Sequence, residues 1–416
     1  MPGFTLLRRT ATTTCVVLTA AGLSACSSSG SAGSPSGPAA GEIVLGALGP
    51  YSGAFSSTYG AVPKVLSAWE QTVNAAGGIG GKKVSIIIKD TGGGSADAGV
   101  AAVHELIGQD HVKAIVANQD ANDLAWAPYA ASQGVPVISA TTETDSYVDP
   151  NNFNAQGSAF AVVYGLGQQA KTLGGSLGIA YCAEDPTCAQ QAQLLQLFVK
   201  AQQVTVPVAV KVPASTADFT AYCQELKGAH VDTFFNSLSD ELAQRMNDSC
   251  FQQGLSATQV ISGALTNLSW KTDPVYRGSV VLDPVAPFFD TAVPGVKQYH
   301  AALTKYAASV IGTPGDNSEA LRAWASVQLF AAAAGKAGGD ITSAAIKSAL
   351  PKLNGDTLDG IVPPIAFTAG KAAFAECYFR WAPYGQFRAL DGAKPTCIPA
   401  ATIGPLVAAV LKSLHP

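Results

Sequence analysis

The strongest constraint on the fold is a repeated alternation of short β-branched runs with amphipathic helical stretches, which begins at Glu42. Residues 43–48 are apolar throughout, as in a buried strand, and the apolar positions 62, 65, 66, 69 and 73 that follow have helical spacing. Gly77 and Gly78 end this helix, and an apolar run at 84–89 predicts the next strand. The succession predicts an α/β fold, in which helices cover both faces of a parallel sheet.

The alternation restarts near residue 157, which predicts a second domain of the same kind. The first series predicts strands at 43–48, 84–89, 114–117 and 135–139, with helices from about 58, around 100–107 and at 122–132. The second predicts a helix at 159–173, strands at 177–181, 205–212, 231–236 and 259–262, and helices at 189–201, 219–227 and 241–253. Helical patterns follow at 295–311, 318–336 and 341–350. A length of 416 residues with 48% hydrophobic content also favours two domains over one core.

The tail of the chain has a different pattern. Residues 375–381 alternate with period two, and turn residues at 383–385 follow them. This pattern predicts an antiparallel strand added at a sheet edge. The apolar run at 407–414 is too short to cross a bilayer.

The N-terminus has the features of an export signal. Arg8 and Arg9 precede an apolar run at 15–23, and the run ends in Leu-Ser-Ala-Cys at 23–26, which resembles a bacterial lipobox. We therefore predict a lipoprotein signal peptide at 1–25, lipidation of Cys26, and a Ser/Gly/Pro-rich tether at 26–41. The alternative is an ordinary secretory signal with an incidental cysteine. The expected location is outside the cytoplasm, with the chain lipid-anchored to the outer face of the cell membrane.

Six cysteines remain once Cys15 in the signal and Cys26 are set aside, and an even number in an exported chain indicates disulfides. Six cysteines allow 15 pairings. Proximity in sequence, and the elements on which they lie, favour pairing 182 with 188, 223 with 250, and 377 with 397: Cys182, Cys188, Cys223, Cys250, Cys377 and Cys397. A metal site is the alternative, but CxxC spacing is missing and the five histidines are scattered, so we predict no metal and no cofactor.

Charge and motifs narrow the class of function. A net charge of −4, with no basic block, argues against a nucleic-acid surface and leaves a small molecule or a protein as partner. The sequence contains no nucleophile elbow, Walker loop, HExxH or dinucleotide-binding glycine motif after a strand. A binding protein is therefore favoured over the alternative of an exported enzyme.

Four segments carry a resemblance to a known family. They are GALGPYSG at 46–53, VNAAGGIGGKKV at 73–84, Lys-Asp at 89–90 and QGVPVIS at 133–139. Together they resemble the branched-chain amino-acid-binding family of periplasmic binding proteins, over residues 42 to about 381. The resemblance implies a type I fold, in which two doubly wound parallel-sheet lobes are joined by a three-strand hinge. It also implies a monomer that captures a small-molecule ligand and delivers it to ABC permease subunits; an extracellular sensor with the same closing motion is the alternative.

On that fold the chain crosses between the lobes near Gly157, Leu282 and Val362. Lobe one then comprises residues 42–156 plus 283–361, and lobe two comprises 157–282 plus 362–416. In open parallel sheets, ligands bind beyond the carboxyl ends of the strands. The resemblance therefore places the ligand between the lobes.

The loops at those strand ends offer the candidate ligand-binding residues. They are Tyr51, Ser52 and Tyr59 after the first strand; Asn118, Gln119, Asp120, Ala121 and Asn122 after the third; Thr141 and Thr142 after the fourth; and Tyr181 on lobe two. The alternative for Asp120 or Asn122 is a helix cap, with Asp123 complementing the helix dipole. Trp126 is more typical of a core residue.

Two departures from the family pattern bear on the ligand. Asp120 lies where the family often has Ser or Thr, and the lobe-two segment 262–266 contains no acid to pair with a ligand ammonium. A carboxylate of the ligand would be repelled by Asp120 in a closed cleft. A neutral or cationic solute, such as an amide or an amine, is therefore as well supported as an amino acid.

Overall fold

The computed structural model describes residues 41–92, 95–141, 148–183, 186–263, 266, 268–365, 367–368, 370–371 and 374–414. These described residues belong to one compact unit. The predictions for the signal peptide, Cys26 and almost all of the tether lie outside the described residues. Within them, no helix combines the length and apolarity needed to cross a membrane.

The first sheet is five-stranded and parallel, as the alternation predicts. Its strands are β1 (Ile43–Gly49), β2 (Val84–Asp90), β3 (Ile115–Asn118), β4 (Val137–Ser139) and β5 (Asn152–Asn154), in the order β2-β1-β3-β4-β5. The helices interleaved with these strands are α1 (Ser56–Tyr59), α2 (Val62–Ala75), α3 (Ala96–Gly108) and α4 (Ala127–Ser132). The helix predicted at 122–132 is divided, because a 3-10 turn at Asp123–Ala125 precedes α4.

The second sheet is eight-stranded and mixed. Its strands are β6 (Ser176–Cys182), β7 (Thr205–Val212), β8 (Thr233–Ser237), β9 (Thr258–Ser262), β10 (Val280–Asp283), β11 (Cys377–Ala382), β12 (Arg388–Ala389) and β13 (Thr396–Cys397). The order is β12-β11-β10-β9-β8-β6-β7, with β13 paired to β11. β6 to β10 are parallel, and β11 is antiparallel to β10, which confirms the antiparallel addition predicted from the tail.

The remaining helices cover the two sheets. They are α5 (Ala159–Thr172), α6 (Pro186–Ala201), α7 (Thr220–Gly228), α8 (Asp240–Gln252), α9 (Pro294–Tyr306), α10 (Ser318–Ala337), α11 (Ser343–Ala349) and α12 (Ala400–Leu414). Of these, α10 lies against the middle of the first sheet: Ser326 Oγ accepts from Ala117 N at 2.8 Å and donates to Ile138 O at 2.7 Å. Because 14 of its 20 residues are buried, α10 is a core helix of the first sheet.

The three predicted disulfides are confirmed. Cys182–Cys188, Cys223–Cys250 and Cys377–Cys397 are bonded, with Cα–Cα distances of 5.5, 4.9 and 4.0 Å. All three lie on elements of the second sheet. The first links β6 to α6, the second links α7 to α8, and the third links β11 to β13.

The chain crosses between the two sheets where backbone segments touch. Gly157 N donates to Pro284 O at 2.8 Å, and Ser158 N donates to Ala375 O at 2.9 Å. A side chain does not fit at Gly157, since a Cβ there would lie 2.0 Å from Cys377 O. Three segments of the chain therefore run side by side at this point.

The division into two lobes at the predicted boundaries stays a prediction. One pair of contacts bears on its last boundary. Asn354 Oδ1 accepts from Phe367 N at 2.6 Å, and Asn354 Nδ2 donates to Phe367 O at 2.9 Å. Because these bonds tie Phe367 to the chain that precedes Val362, they favour a third crossing nearer Ala375.

Candidate functional site

The candidate site lies at the carboxyl edge of the first sheet. β1, β3 and β4 are neighbours and end at Gly49, Asn118 and Ser139, so the loops that follow them meet at one edge. This edge brings together most of the lobe-one residues predicted from the sequence. Thr142 lies outside the described residues.

The loop after β1 is fixed by Asp90 at the end of the adjacent β2. Asp90 Oδ1 accepts from the backbone N–H groups of Tyr51, Ser52 and Gly92 at 3.0, 3.3 and 2.9 Å. Although burial raises the pKa of Asp90, hydrogen bonds from Ser52, Gly92 and Tyr51 together hold that pKa below its usual value. Ser52 itself is exposed. The Asp90 carboxylate thus fixes the backbone of this loop.

Tyr51 turns its ring into the protein and is only 7% exposed. Burial, with the nearby charges of Asp90 and Asp120, raises the pKa of its hydroxyl well above the usual value. The hydroxyl oxygen is buried and has no hydrogen-bond partner among the described residues. A buried hydroxyl without a partner costs free energy, and a bound polar group would offset that cost.

Hydrogen bonds within the loop after β3 hold its side chains. Asn118 Oδ1 accepts from Asp120 N at 3.0 Å, and Asn118 Nδ2 donates to Ser139 Oγ at 3.4 Å. Trp126 Nε1 donates to Asp120 Oδ2 at 2.9 Å, and both residues are buried. Trp126 is therefore in the core, as expected. Asn122 occupies the N-cap position of the 3-10 turn, but its side chain makes no capping bond.

Gln119 connects this loop to the start of α10. Its Nε2 donates to the backbone O of Glu319 at 3.1 Å and to Glu319 Oε2 at 3.3 Å. Glu319 Oε1 in turn accepts from Arg322 Nη1 at 2.6 Å. The amide oxygen of Gln119, Oε1, is buried and has no hydrogen-bond partner among the described residues. Sequence analysis assigned α10 only as a helix and missed this charged first turn.

A buried ion cluster extends from α10 to the second sheet. Arg322 Nη2 lies 3.7 Å from Asp283 Oδ1 at the end of β10, and Asp283 Oδ2 accepts from Ser318 Oγ and from Trp381 Nε1. We refer to Asp283, Ser318, Glu319, Arg322 and Trp381 as the Arg322 cluster. Each member is at most 4% exposed. The cluster joins the helix that covers the first sheet to strands of the second.

Burial shifts the pKa values of the charged groups in the Arg322 cluster. Burial opposes the charge of Arg322, but the carboxylates of Glu319 and Asp283 hold its pKa above the usual value. Burial raises the pKa of Asp283, against the lowering effects of Arg322 and of the donors Ser318 and Trp381. The two terminal nitrogens of Arg322 are thus already committed to carboxylates.

The remaining predicted residues have less specific surroundings. The backbone O of Thr141 accepts from the side-chain amides of Asn154 and Gln156, so these bonds hold the start of its loop. Tyr59 is half-buried against the core of the first sheet, and Ala121 is exposed. Tyr181 is half-buried near the end of β6, next to the disulfide of Cys182. β1, β3 and β4 end at the same edge of the first sheet, and Tyr181 belongs to the second sheet.

Two doubly wound sheets joined by chain crossings, with polar loops at the strand ends, define a class of α/β solute-binding proteins. Among the described residues, no group of three or more His, Cys, Asp or Glu side chains is arranged to hold a metal. The sequence agrees with this class: residues 42–380 match the family model described as "Periplasmic binding protein". The chain therefore belongs to the periplasmic binding protein family. This family consists of extracytoplasmic solute-binding proteins that deliver small molecules to ABC transporter permeases.

Solved structures have the same fold at low sequence identity. A substrate-binding protein of an ABC transporter from Aeropyrum pernix is similar at TM-score 0.75 and 16% identity, covering 88% of this chain and 98% of that one. A fatty acid ABC transporter substrate-binding protein from Thermomonospora curvata has TM-score 0.69 and 18% identity, with coverage of 87% and 96%. A Rhodopseudomonas palustris solute-binding protein in complex with 4-hydroxybenzoate has TM-score 0.68 and 17% identity, with coverage of 86% and 97%. No curated protein matches the chain.

Proposed function

We propose that this chain is a lipid-anchored solute-binding protein that captures a small polar solute between two lobes and delivers it to an ABC importer. The observation that carries the proposal is the convergence of Tyr51, Asn118, Gln119 and Asp120 at one sheet edge, linked through the Arg322 cluster to the second sheet. The solute is an amino acid, an amide or a related compound. The proposed site comprises the loop residues predicted from the sequence: Tyr51, Ser52, Tyr59, Asn118, Gln119, Asp120, Ala121, Asn122, Thr141, Thr142 and Tyr181.

Capture works by closure of the lobes. A solute that touches both sheets binds the closed form more tightly, so it shifts the hinge equilibrium by its extra contacts in that form. Polar groups fixed in advance, such as the loop that Asp90 clamps, lose little conformational entropy when the solute binds. The importer then recognises the closed form.

Similar structures do not identify the solute. The relatives named above are described with a fatty acid and with 4-hydroxybenzoate, and identities of 17–18% support the shared fold alone. Binding must therefore be measured on this chain.

A ligand screen with a paired variant tests the site. A solute present at about one hundred times its Kd should stabilise the protein by roughly 2.7 kcal/mol in thermal unfolding. Scattering should show compaction with the same solute. Tyr181→Phe should weaken that binding, whereas Tyr222→Phe, at a half-buried tyrosine on α7, should not. Equal affinity in both variants would remove Tyr181 from the site, and the absence of compaction would remove the closing mechanism.

A lipid-labelling experiment tests the anchor. A labelled fatty acid should enter the protein and be lost in Cys26→Ala, with release from membranes or accumulation of precursor. Cys15→Ala, within the signal segment, is the matched control and should remain labelled. Unchanged labelling and membrane retention in Cys26→Ala would exclude the lipobox.

A further inference from the structure

The charges at the carboxyl edge of the first sheet are unbalanced. Asp120, Asp283 and Glu319 are each at most 2% exposed, and Arg322 is the buried cation that pairs with Glu319 and Asp283. Arg322 holds Glu319 at 2.6 Å and Asp283 at 3.7 Å through its two terminal nitrogens, leaving Nε. An incoming carboxylate would meet this excess of negative charge where little water screens it.

Two buried side-chain oxygens at the same edge have no hydrogen-bond partner among the described residues, and both can accept a bond from a donor. Gln119 Oε1 can only accept, and the Tyr51 hydroxyl can accept; both atoms are buried without partners in the described part of the chain. The two side chains are neighbours, since a Cβ at Gly49 would lie 2.9 Å from Cε1 of Tyr51 and 3.2 Å from Cβ of Gln119. Asp120 follows Gln119 directly in the same loop, where its Oδ2 accepts from Trp126 Nε1 at 2.9 Å, and its charge contributes to the raised pKa of the Tyr51 hydroxyl.

We infer that the carboxyl edge of the first sheet selects a solute that carries a primary ammonium group. Asp120, Gln119 and Tyr51 would bind this group. This inference rests on the proposed function and specifies its substrate class. An ammonium offers three donors and no acceptor, which complements two unused acceptors beside a carboxylate. A carboxylate offers only acceptors and adds a like charge. The edge thus discriminates by charge sign as well as by hydrogen-bond direction.

The test compares amines, amides and carboxylic acids that share the same carbon skeleton. Titration calorimetry on the purified full-length chain compares butylamine, butyramide and butyrate, and then benzylamine, benzamide and benzoate. Each amine should bind at least about tenfold more tightly than the matching acid, with the amide between them. An acid that binds as tightly as its amine would overturn the inference and leave the proposed function intact.

Variants that each remove one carboxylate locate the effect. Asp120→Asn keeps an acceptor for the Trp126 indole and should weaken amine binding by about tenfold, improve acid binding, and leave amide binding within about twofold. Asp340→Asn removes one carboxylate near the opposite edge, where Asp340 pairs with Lys82, and should change nothing. Equal effects of the two variants would assign the preference to overall charge and overturn the inference.

A second variant covers the case in which Asp120→Asn does not fold. Tyr51→Phe removes only the hydroxyl and should lower amine affinity several-fold without lowering thermal stability, because the hydroxyl it removes has no partner. Unchanged amine affinity in Tyr51→Phe would contradict the inference. If neither the six probes nor a library of amino acids and amides binds, the proposed function fails as well.

Discussion

The two sheets of this protein are held together by different means. Cys182–Cys188, Cys223–Cys250 and Cys377–Cys397 all lie on second-sheet elements, and the described part of the first-sheet region contains no disulfide. The first sheet relies instead on α10, a buried helix that carries Glu319 in its first turn and Arg322 in its second. Disulfides act largely on the unfolded chain, whereas buried packing and ion pairs act on the native state. Each region is therefore sensitive to a different kind of change.

The largest expected effect is at the Arg322 cluster, where α10 of the first-sheet region meets β10 and β11 of the second sheet. Arg322→Met removes the cation from the Arg322 cluster and leaves Glu319 and Asp283 buried without it. Breaking a buried ion pair in this way should cost about 3–5 kcal/mol of unfolding free energy, measured by urea denaturation. Arg380→Met is the control, because Arg380 pairs with Asp391 at a half-exposed position and should cost at most about 1 kcal/mol. Similar losses in both variants would contradict this account of the Arg322 cluster.

A somewhat smaller effect is expected on the second-sheet side. The Cys223–Cys250 bridge spans 27 residues, so Cys223→Ala with Cys250→Ala should cost about 3.5 kcal/mol by loop-closure entropy. Removing Cys182–Cys188, which spans 6 residues, should cost only about 2 kcal/mol. Hydrogen exchange should show the loss in α7 and α8, with β1 and β3 still protected. If β1 and β3 exchanged as fast as α7 and α8, the two regions would unfold as one.

The smallest expected effect is a pH dependence of stability in the second-sheet region. Arg380 donates to both oxygens of Asp391 at 2.8 Å, and these bonds, despite partial burial, lower the pKa of Asp391. A lowered native pKa contributes stability above the unfolded value of about 3.9, and this contribution is lost as the pH falls through the lower native pKa. Asp391→Asn should therefore be less stable at pH 7 by under about 1 kcal/mol. Thermal melts should show the difference fading on acidification; a difference that widens would contradict the sign.

The sequence predicted the regular elements well because their patterns are local. The apolar run of β1 and the helical spacing in α2 each lie within a few turns of chain, and both elements occur where expected. The missed elements lack such patterns. β5 is Asn-Phe-Asn, too short and polar to be distinguished from a loop, and α12 contains Pro405, which is typical of a helix end.

The predicted site was incomplete for a different reason. The loop residues Tyr51, Gln119 and Asp120 follow strands, so strand assignment alone indicated them. Asp283 and Arg322 come together only because β10 and α10 are adjacent in the folded protein, and no short-range pattern encodes that contact. Trp126 was correctly expected in the core, but its bond to Asp120 depends on the three-dimensional path of the loop.

The position of α10 in the chain also affects how the protein is made. A chain that emerges N-terminus first completes β3 and β4 early, while the helix that covers their inner face follows only after the parallel strands of the second sheet. During synthesis, that apolar face has no native cover and is exposed to aggregation or to chaperones. By contrast, Cys182–Cys188 and Cys223–Cys250 precede α10 in the chain and join cysteines at most 27 residues apart, so oxidation of the second region can start before α10 has emerged. The N-terminal sheet, although first to be synthesised, is thus among the last parts of the protein to be completed.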